Sequence, residues 1–248
     1  MRSNRVLILG STGMLGHKLV QVFGEQFETF CTIQGTFSDV QRYGIFAIER
    51  TVENVNALDF SSVRSAIEIV RPDVVINAIG IIKQLLSSND VVRTLSINSI
   101  FPHLVSELAR ELDFRFITVS TDCVFSGWRG NYSESDVPDA TDLYGRSKQF
   151  GEVSDTNCLT LRTSIIGREL ATSHGLIDWF LSQTNLINGY SNAIFSGFPT
   201  VVLADVLVKI IEEHPSLDGL FHLSSEPISK FDLLQLVKRR HGLPIELL

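Results

Sequence analysis

The sequence predicts an α/β fold: a doubly wound parallel sheet with helices on both faces, followed by a smaller C-terminal lobe. Short apolar runs indicate strands buried on both faces, and segments with apolar residues at helical spacing alternate with them. A glycine-rich loop directly follows the first apolar run. Beyond Ile166 the alternation weakens, so we expect the main domain to cover residues 1–165 and the lobe to cover 166–248, partly returning to the main domain.

The composition argues against several classes of partner. The 28 acidic residues outnumber the 21 basic ones, and the net charge of −7 argues against binding nucleic acid through its phosphates. The cysteines Cys31, Cys123 and Cys158 are odd in number and widely spaced, which favours buried reduced thiols over a disulfide framework. The histidines show no metal-binding spacing, so we expect no metal.

No segment predicts a membrane partner. The apolar run at residues 6–9 follows a basic start but breaks at Gly10, which makes it too short for a signal peptide. No stretch approaches the roughly 20 apolar residues of a membrane span. We therefore expect a cytoplasmic protein, and a homodimer stays open.

The glycine-rich loop, residues 10–16, stands between a predicted strand and a predicted helix. Apolar residues recur at helical spacing after it, at Leu15, Leu19 and Val22. Its glycines allow a tight turn and let a pyrophosphate approach the amides at the start of the helix. Because both flanks agree, the loop predicts the dinucleotide site of a Rossmann fold.

The second predicted strand, near residues 29–33, bears on the choice of cofactor. Its end should lie over the adenosine ribose, where a site specific for NAD usually carries an acidic residue. Residues 29–38 contain no Asp or Glu, which favours NADP, although NAD stays open. Arg42 would have to reach back to meet the extra phosphate of NADP.

Two further segments could contact a dinucleotide. Asp59 precedes a helical stripe, and it is either the N-terminal cap of that helix, a contact to the adenine, or both. The strand predicted at residues 74–76 ends close to Ala78, Ile79 and Gly80. These small residues either let a cofactor pass or form a simple turn at the strand end.

A predicted helix at residues 95–112 leads into a strand at residues 115–119 that ends in Ser120 and Thr121. Ligands bind at the carboxyl ends of the strands in open parallel sheets, so Thr121 lies where a catalytic hydroxyl belongs. The following residues, 125–142, are rich in Gly, Ser and Asp and predict a loop.

Tyr144 and Lys148 follow that loop on a predicted helix. Residues four apart project from one face of a helix, so the phenol and the ammonium can act on one bound molecule. A neighbouring cation lowers the phenol pKa from its ordinary value of about 10, which makes Tyr144 a usable proton donor. The Tyr-x-x-x-Lys spacing also arises by chance on many helices, and its weight here comes from Thr121 and the glycine loop.

Four side chains outside this set have mainly structural interpretations. We expect Trp179 to be buried, Trp128 to anchor its loop and Arg162 to fix the fold after its strand. Arg168 is either solvated or placed to meet a diphosphate.

Several motifs together resemble, in order and spacing, the extended short-chain dehydrogenase/reductases. They are the glycine loop and residues 77–80, 120–127, 144–148 and 161–164. Within that family the chain looks most like the dTDP-4-dehydrorhamnose reductase branch, the nucleotide-sugar 4-ketoreductases. The most specific element is Ser-Thr-Asp-x-Val-Phe-x-Gly, which begins at Ser120.

The resemblance implies NAD(P)H-dependent reduction of a 4-keto group on a nucleotide-activated deoxysugar, in the biosynthesis of cell-surface polysaccharides. It implies a catalytic set of Thr121, Tyr144 and Lys148. It implies substrate contacts at Thr121 and Asp122. It implies cofactor contacts at Gly10, Gly13, Met14, Leu15, Gly16, Asp59, Phe60, Ala78, Ile79, Gly80, Tyr144 and Lys148.

Two alternatives stay open. Asp122 beside Thr121 leaves room for a nucleotide-sugar epimerase or dehydratase. A non-catalytic, NADP-binding regulatory subunit is the other, as in the similar beta subunit of methionine adenosyltransferase. Cys123 and Ile165 stand where the branch often has an aromatic residue and a tryptophan, which leaves the sugar open. Family members usually continue past Leu248, so whether the chain is C-terminally short, with part of the lobe absent, stays open.

Overall fold

A seven-stranded parallel sheet forms the centre of the computed structural model, which describes residues 4–83 and 90–248. The strands are β1 (Arg5–Leu9), β2 (Glu28–Thr32), β3 (Thr51–Val52), β4 (Val74–Asn77), β5 (Arg115–Thr121), β6 (Cys158–Thr163), β7 (Ile165–Ile166), β8 (Ile194–Phe195), β9 (Phe198–Pro199), β10 (Gly219–His222) and β11 (Ile228–Ser229). The helices are α1 (Gly16–Phe23), α2 (Phe37–Val40), α3 (Phe60–Val70), α4 (Val91–Leu95), α5 (Phe101–Leu112), α6 (Leu143–Phe150), α7 (Leu176–Leu181), α8 (Thr200–Glu213) and α9 (Lys230–His241).

The strand order of the central sheet is β10-β6-β5-β4-β1-β2-β3, and every pairing in it is parallel. The chain winds outward from β1 through β2 and β3, then returns to the other side of β1 with β4 and continues outward. The order therefore reverses between β1 and β4, where doubly wound sheets leave a crevice at the carboxyl ends of their strands. The predicted α/β Rossmann fold is confirmed.

The alternation of side chains along β1 divides the core into two layers. Val6 and Ile8 point into an apolar cluster that α1 and α8 cover, whereas Leu7 and Leu9 point into a cluster covered by α3 and α5. All four side chains are fully buried. Successive residues of a strand face opposite sides of the sheet, so an unbroken apolar run is what a sheet covered on both faces requires.

The chain beyond residue 166 contributes to two places. β10 joins the edge of the central sheet beside β6, and α8 packs against α1. A separate apolar cluster includes Phe180 of α7, Leu234 of α9, Ile245 and Leu247. The separate cluster gives this part of the chain a small core of its own.

The last helix shows how local sequence sets the ends of an element. Ser229 caps α9 by accepting a hydrogen bond from the Asp232 amide at 3.0 Å. Gly242 ends the helix with a left-handed backbone, φ +61°, which glycine adopts without strain.

Two features are absent from residues 4–83 and 90–248. No helix there is both long and apolar enough to cross a membrane. No group of three or more His, Cys, Asp or Glu side chains in the same ranges is placed to hold a metal ion.

The three cysteines are free thiols. Cys31 and Cys158 are buried, whereas Cys123 lies at the surface.

Candidate active site

The glycine loop is packed tightly between the ends of β1, β2 and β4. Gly10 has φ +82°, and a Cβ built there would lie 2.7 Å from the Cγ1 of Ile79. A Cβ on Gly16 would lie 2.2 Å from the Gly10 carbonyl oxygen. These two glycines are therefore required by the protein's own packing.

Gly13 differs from its two neighbours in the loop. A Cβ there would lie 3.5 Å from the Gly10 carbonyl oxygen, which is ordinary van der Waals contact. The protein itself leaves room for a side chain at this position. In dinucleotide folds the second glycine of the loop lets a pyrophosphate approach the backbone, so an open Gly13 fits that use.

The turn after β4 lies against this loop. The Ala78 amide donates to the Leu9 carbonyl at 3.0 Å, and the Ile79 amide donates to Asn77 Oδ1 at 3.0 Å. Asn77 in turn donates to the Thr118 hydroxyl of β5 at 3.1 Å. The turn is thus held from both sides, next to Gly10 at the crevice between β1 and β4.

Asp59 and Phe60 lie at the start of α3. Asp59 caps that helix by accepting hydrogen bonds from the amide and hydroxyl of Ser61, at 3.2 and 2.5 Å. Phe60 packs edge-on against Phe101 and belongs to the same apolar cluster as Ile79. The capping role is observed, and a contact to adenine stays a prediction.

The turn after β2, where the adenosine ribose is expected, has two carboxylates close by. Asp39 accepts the Thr36 amide at 2.8 Å, and Glu53 accepts the Phe37 amide. Both acids lie outside residues 29–38, the segment in which an NAD site was expected to carry an acidic residue. Arg42 does not reach back, because its guanidinium donates to the Tyr43 hydroxyl at 2.7 Å and lies over the Tyr43 ring.

Close packing brings α6 to the end of β5. The Asp142 side chain caps α6 by accepting the Gly145 amide at 3.0 Å. A Cβ on Gly145 would lie 2.2 Å from the Cys123 carbonyl oxygen, so only glycine allows this approach. As a result Tyr144 and Lys148 of α6 lie beside Thr121, the last residue of β5.

Lys148 is buried, and its Nζ donates to the Val119 carbonyl of β5 at 2.7 Å. Burial lowers the pKa of Lys148 to about 8, while the negative charge of Glu152 acts in the opposite direction. The ammonium is therefore close to its titration range at neutral pH.

Tyr144 keeps part of its surface exposed, but its pKa lies above the ordinary value. Desolvation of the phenol raises the pKa of Tyr144 to about 12, and an interaction with the Thr121 side chain only partly offsets this. From the sequence we expected Lys148 to lower this pKa, but burial raises it, and the interaction that lowers it comes from the Thr121 side chain. Tyr144 consequently holds its proton at neutral pH and can donate it.

Thr121 is buried, and its hydroxyl has partners on both sides. It accepts the Cys123 amide at 3.1 Å and donates to Asp122 Oδ1 at 3.2 Å. Desolvation and the nearby Asp122 raise the pKa of Cys123, so that side chain stays a thiol. The three residues form a short polar rim beside Tyr144.

Asn98 is a buried residue that the sequence argument did not place in the site. It lies on a π-helical turn, Ser96–Ile100, where one continuous helix was expected. Its side-chain amide joins the Ile81 amide and carbonyl, at 2.8 and 3.0 Å, to the Ser147 hydroxyl of α6 at 3.1 Å. Asn98 therefore ties the turn after β4 to the helix that carries Tyr144.

Arg162, expected from the sequence to fix the fold after its strand, has a buried partner that the sequence did not reveal. Arg162 and Glu152 form a buried ion pair with an N–O distance of 2.7 Å, and their side chains are 6% and 8% exposed. Arg168 pairs with Asp178. A role for Arg168 at a diphosphate stays a prediction.

Both tryptophan expectations were wrong. Trp128 is 94% exposed and does not anchor its loop. That loop is held instead by Asp139, which accepts the amide and hydroxyl of Ser126 at 2.6 Å each. Trp179 is 36% exposed, and the Lys230 ammonium lies 5.5 Å from its ring centroid.

Curated relatives cover nearly the whole chain at low identity. The dTDP-4-dehydrorhamnose reductase of Aggregatibacter actinomycetemcomitans is 27% identical over 239 residues, covering 92% of this chain and 76% of the relative. The spore coat polysaccharide biosynthesis protein SpsK of Bacillus subtilis is 24% identical and covers 98% and 82%. The methionine adenosyltransferase 2 subunit beta of Mus musculus is 27% identical and covers 98% and 73%.

Solved structures show the same fold. A hypothetical dTDP-4-dehydrorhamnose reductase from Sulfolobus tokodaii superposes with a TM-score of 0.82 at 25% identity, covering 98% of this chain and 85% of that one. The Bacillus anthracis dTDP-4-dehydrorhamnose reductase in complex with NADP gives 0.79 at 21% identity, covering 100% and 84%. Bordetella bronchiseptica WbmG in complex with NAD and UDP gives 0.75 at 18% identity, covering 99% and 81%.

A family model settles the relationship. The model described as the RmlD substrate binding domain matches residues 4–246. The reductase names among the relatives and structures confirm the resemblance to the dTDP-4-dehydrorhamnose reductase branch. The chain belongs to the RmlD substrate binding domain family.

Proposed function

We propose that the protein uses NADPH, or alternatively NADH, to reduce a 4-keto group on a nucleotide-activated deoxysugar. One observation carries the proposal. A protonated phenol, a buried ammonium and a strand-end hydroxyl, those of Tyr144, Lys148 and Thr121, lie together at the carboxyl edge of the sheet that also holds the glycine loop. Family members named as reductases support it.

The described residues fit a bound dinucleotide. A side chain at Gly10 or Gly16 would collide with neighbouring protein atoms, whereas a Cβ on Gly13 would make only ordinary contacts. The space at Gly13 can therefore take a pyrophosphate close to the backbone. The residues that would hold the cofactor are Gly10, Gly13, Met14, Leu15, Gly16, Asp59, Phe60, Ala78, Ile79, Gly80, Tyr144 and Lys148. Once bound, the reduced nicotinamide would supply the hydride.

The choice between the two cofactors leans toward NADP. The Bacillus anthracis structure contains NADP, whereas WbmG contains NAD. Residues 29–38, where a site specific for NAD usually carries an acidic residue, contain no Asp or Glu, and Asp39 directly after them accepts the Thr36 amide through Oδ2. NAD remains the alternative.

The chemical role of each side chain follows from its protonation. When hydride reaches the carbonyl carbon, negative charge develops on the carbonyl oxygen, and Tyr144 gives that oxygen its phenolic proton. Thr121 would turn its hydroxyl from Asp122 to the same oxygen and stabilise the charge. The Lys148 ammonium would then stabilise the phenolate left on Tyr144.

Asp122 and Cys123 are the residues we assign to the sugar side. Asp122 receives a hydrogen bond from Thr121, and Cys123 stays a neutral thiol, so the rim offers one acceptor and one small neutral group. The rim therefore suits a sugar with a hydroxyl near the reacting carbonyl. A role in polysaccharide biosynthesis is proposed on the names of the relatives.

A second candidate is a non-catalytic regulatory subunit. The observation that favours it is the match to the methionine adenosyltransferase 2 subunit beta, whose sequence identity to this chain equals that of the reductase.

An epimerase or dehydratase is a third candidate, since Asp122 adds an acid beside Thr121. It would keep NAD tightly bound through purification, whereas a reductase exchanges its cofactor.

The deciding experiment is an assay with NADPH and a panel of dTDP- and UDP-linked 4-keto sugars, following the absorbance of the reduced nicotinamide. Reductase activity predicts consumption of NADPH with at least one sugar. NADPH binding without consumption over the panel, together with a stable protein partner, would favour the subunit instead.

Three further expectations remain predictions: the cytoplasmic location, a homodimer, and the division between the two parts of the chain at residue 165.

A further inference from the structure

A buried carboxylate that the proposed chemistry does not use lies next to the catalytic set. Glu152 follows the end of α6, four residues after Lys148. Its Oε1 accepts from the Ser120 hydroxyl at 2.7 Å and from Arg162 Nε at 2.8 Å, and its Oε2 accepts from Arg162 NH2 at 2.7 Å. The carboxylate therefore accepts one hydroxyl donor and two charge-assisted guanidinium donors, all at short distances.

Stability alone is a weak reason for such a pair. Moving two charges out of water costs several kcal/mol per ion, and well-packed apolar residues often replace a buried pair without loss. A surface ion pair elsewhere in the chain offers a contrast, because Arg64 and Glu111 are joined by two hydrogen bonds of 2.8 Å and stay exposed.

The carboxylate is coupled to Lys148 through β5. Ser120, which Glu152 holds, lies between Val119 and Thr121. The Val119 carbonyl accepts the Lys148 ammonium, and Thr121 is the proposed catalytic hydroxyl. One side chain therefore fixes the strand segment that receives Lys148 on one side and presents Thr121 on the other.

The far side of Arg162 is covered by the rings of His222 and Phe125. Arg162 NH1 lies 3.2 Å from His222 Nε2, and the guanidinium lies over the Phe125 ring. Since a guanidinium can only donate, His222 Nε2 accepts and its Nδ1–H donates to the Tyr132 carbonyl, 3.2 Å away. These two contacts hold the His222 ring between Arg162 and the Tyr132 carbonyl.

The titratable groups of the site and of the cluster around Glu152 come from several elements. They are Tyr144 on α6, Asp122 and Cys123 after β5, Glu152 after α6, Arg162 on β6 and His222 on β10. Among them Glu152 is the charge that acts on Lys148, and it raises the pKa of Lys148 against the effect of burial.

We propose that Glu152 is a positioning residue for Lys148: clamped by Arg162 and Ser120, it keeps the ammonium charged and seated against the Val119 carbonyl. The inference rests on the proposed function for its consequence in turnover, but its physical content concerns the protein without ligand. This role would explain why the protein keeps a buried ion pair despite the free-energy cost of removing both charges from water.

The test compares Glu152→Gln with the exposed control Glu111→Gln. The substituted amide keeps the shape and removes the negative charge, so the pKa of Lys148 should fall by roughly one pH unit, the shift typical of losing a nearby opposite charge. Carbon NMR of protein labelled at lysine Cε, with the Lys148 signal assigned from Lys148→Met, measures this without turnover. Glu111→Gln should leave that titration in place.

The same variants separate this inference from the proposed reaction. If the protein reduces a sugar, the alkaline limb of its kcat/KM profile should move to lower pH in Glu152→Gln and stay in place in Glu111→Gln. If no sugar is reduced, the proposed function fails while the NMR titration still decides the role of Glu152. A Lys148 titration that coincides in wild type and folded Glu152→Gln protein would overturn the inference.

Ser120→Ala covers the case in which Glu152→Gln does not fold. It removes one neutral hydrogen bond and keeps the charge of Glu152, so the titration of Lys148 should stay in place. Release of the strand segment should lower kcat about fivefold, the loss that corresponds to one hydrogen bond. Restoring the hydroxyl with Ser120→Thr should recover most of it, and an unchanged kcat in Ser120→Ala would contradict the inference.

Discussion

The two sides of the crevice between β1 and β4 are built in different ways. On the β1 side the shape is set by backbone packing, because a Cβ on Gly10 or Gly16 would collide with neighbouring atoms. On the β5 side it is set by buried polar side chains, with Lys148 bonded to the Val119 carbonyl and Thr121 bonded to Asp122. Substitutions should therefore act through size on the first side and through protons and charge on the second.

The largest effect should come from Tyr144→Phe. The ring and its packing stay, but the proton donor is lost, so kcat for the proposed reduction should fall about 10²- to 10⁴-fold. The Kd for NADPH, measured by fluorescence titration, should change little. Full activity in this variant would remove Tyr144 from the mechanism, and lost NADPH binding would show that the β5 side also acts through shape.

The next effect concerns the glycines and separates packing from ligand contact. Gly10→Ala forces a side chain into a left-handed backbone and against Ile79, which should cost about 1–3 kcal/mol of folding stability. Gly13→Ala meets no such obstacle, so its Tm should match wild type while its Kd for NADPH rises roughly tenfold, or about 1.4 kcal/mol.

Thermal melts with and without NADPH measure both glycine variants together. An equal loss of Tm in Gly10→Ala and Gly13→Ala would contradict the claim that the protein has room for a side chain at Gly13 but not at Gly10. An unchanged Kd in Gly13→Ala would place the pyrophosphate elsewhere.

The smallest effect is the pH dependence of the wild-type reaction. The pKa of Lys148 is lowered to about 8 by burial, so the ammonium is present below that pH and lost above it. Reduction should therefore run at a constant kcat/KM at lower pH and fall tenfold per unit above about 8. The pKa of Tyr144 is raised to about 12, so its proton stays in place over the same range. An alkaline limb that persists unchanged in Lys148→Met would assign it to another group.

Much of the fold was predictable because the signals were local. The run at residues 6–9 had to be covered on both faces, and the glycine loop behind it fixed the first turn of the sheet. Ser229 and Gly242 marked the ends of the last helix for equally local reasons. Where no short pattern existed, as at the π-helical turn Ser96–Ile100, one continuous helix was expected instead.

The site was predictable only where its chemistry lies in short motifs. Thr121, Tyr144 and Lys148 belong to such motifs, and the fold brings them together. Asn98 and Glu152 act through partners that lie 17 to 49 and 10 to 32 residues away in the chain, and no spacing rule reports such contacts. The direction of the Tyr144 pKa was missed for the same reason, since burial depends on the whole fold.

The most direct measurement is a crystal structure of the protein soaked with NADPH. We predict a pyrophosphate against the amides near Gly13, and the nicotinamide ribose within about 3 Å of Lys148 Nζ, an ordinary hydrogen-bond distance. The nicotinamide ring should face Tyr144 and Thr121. A cofactor bound elsewhere, or a crevice filled by the protein's own side chains with NADPH absent, would contradict the proposal that this edge of the sheet is a reductase site.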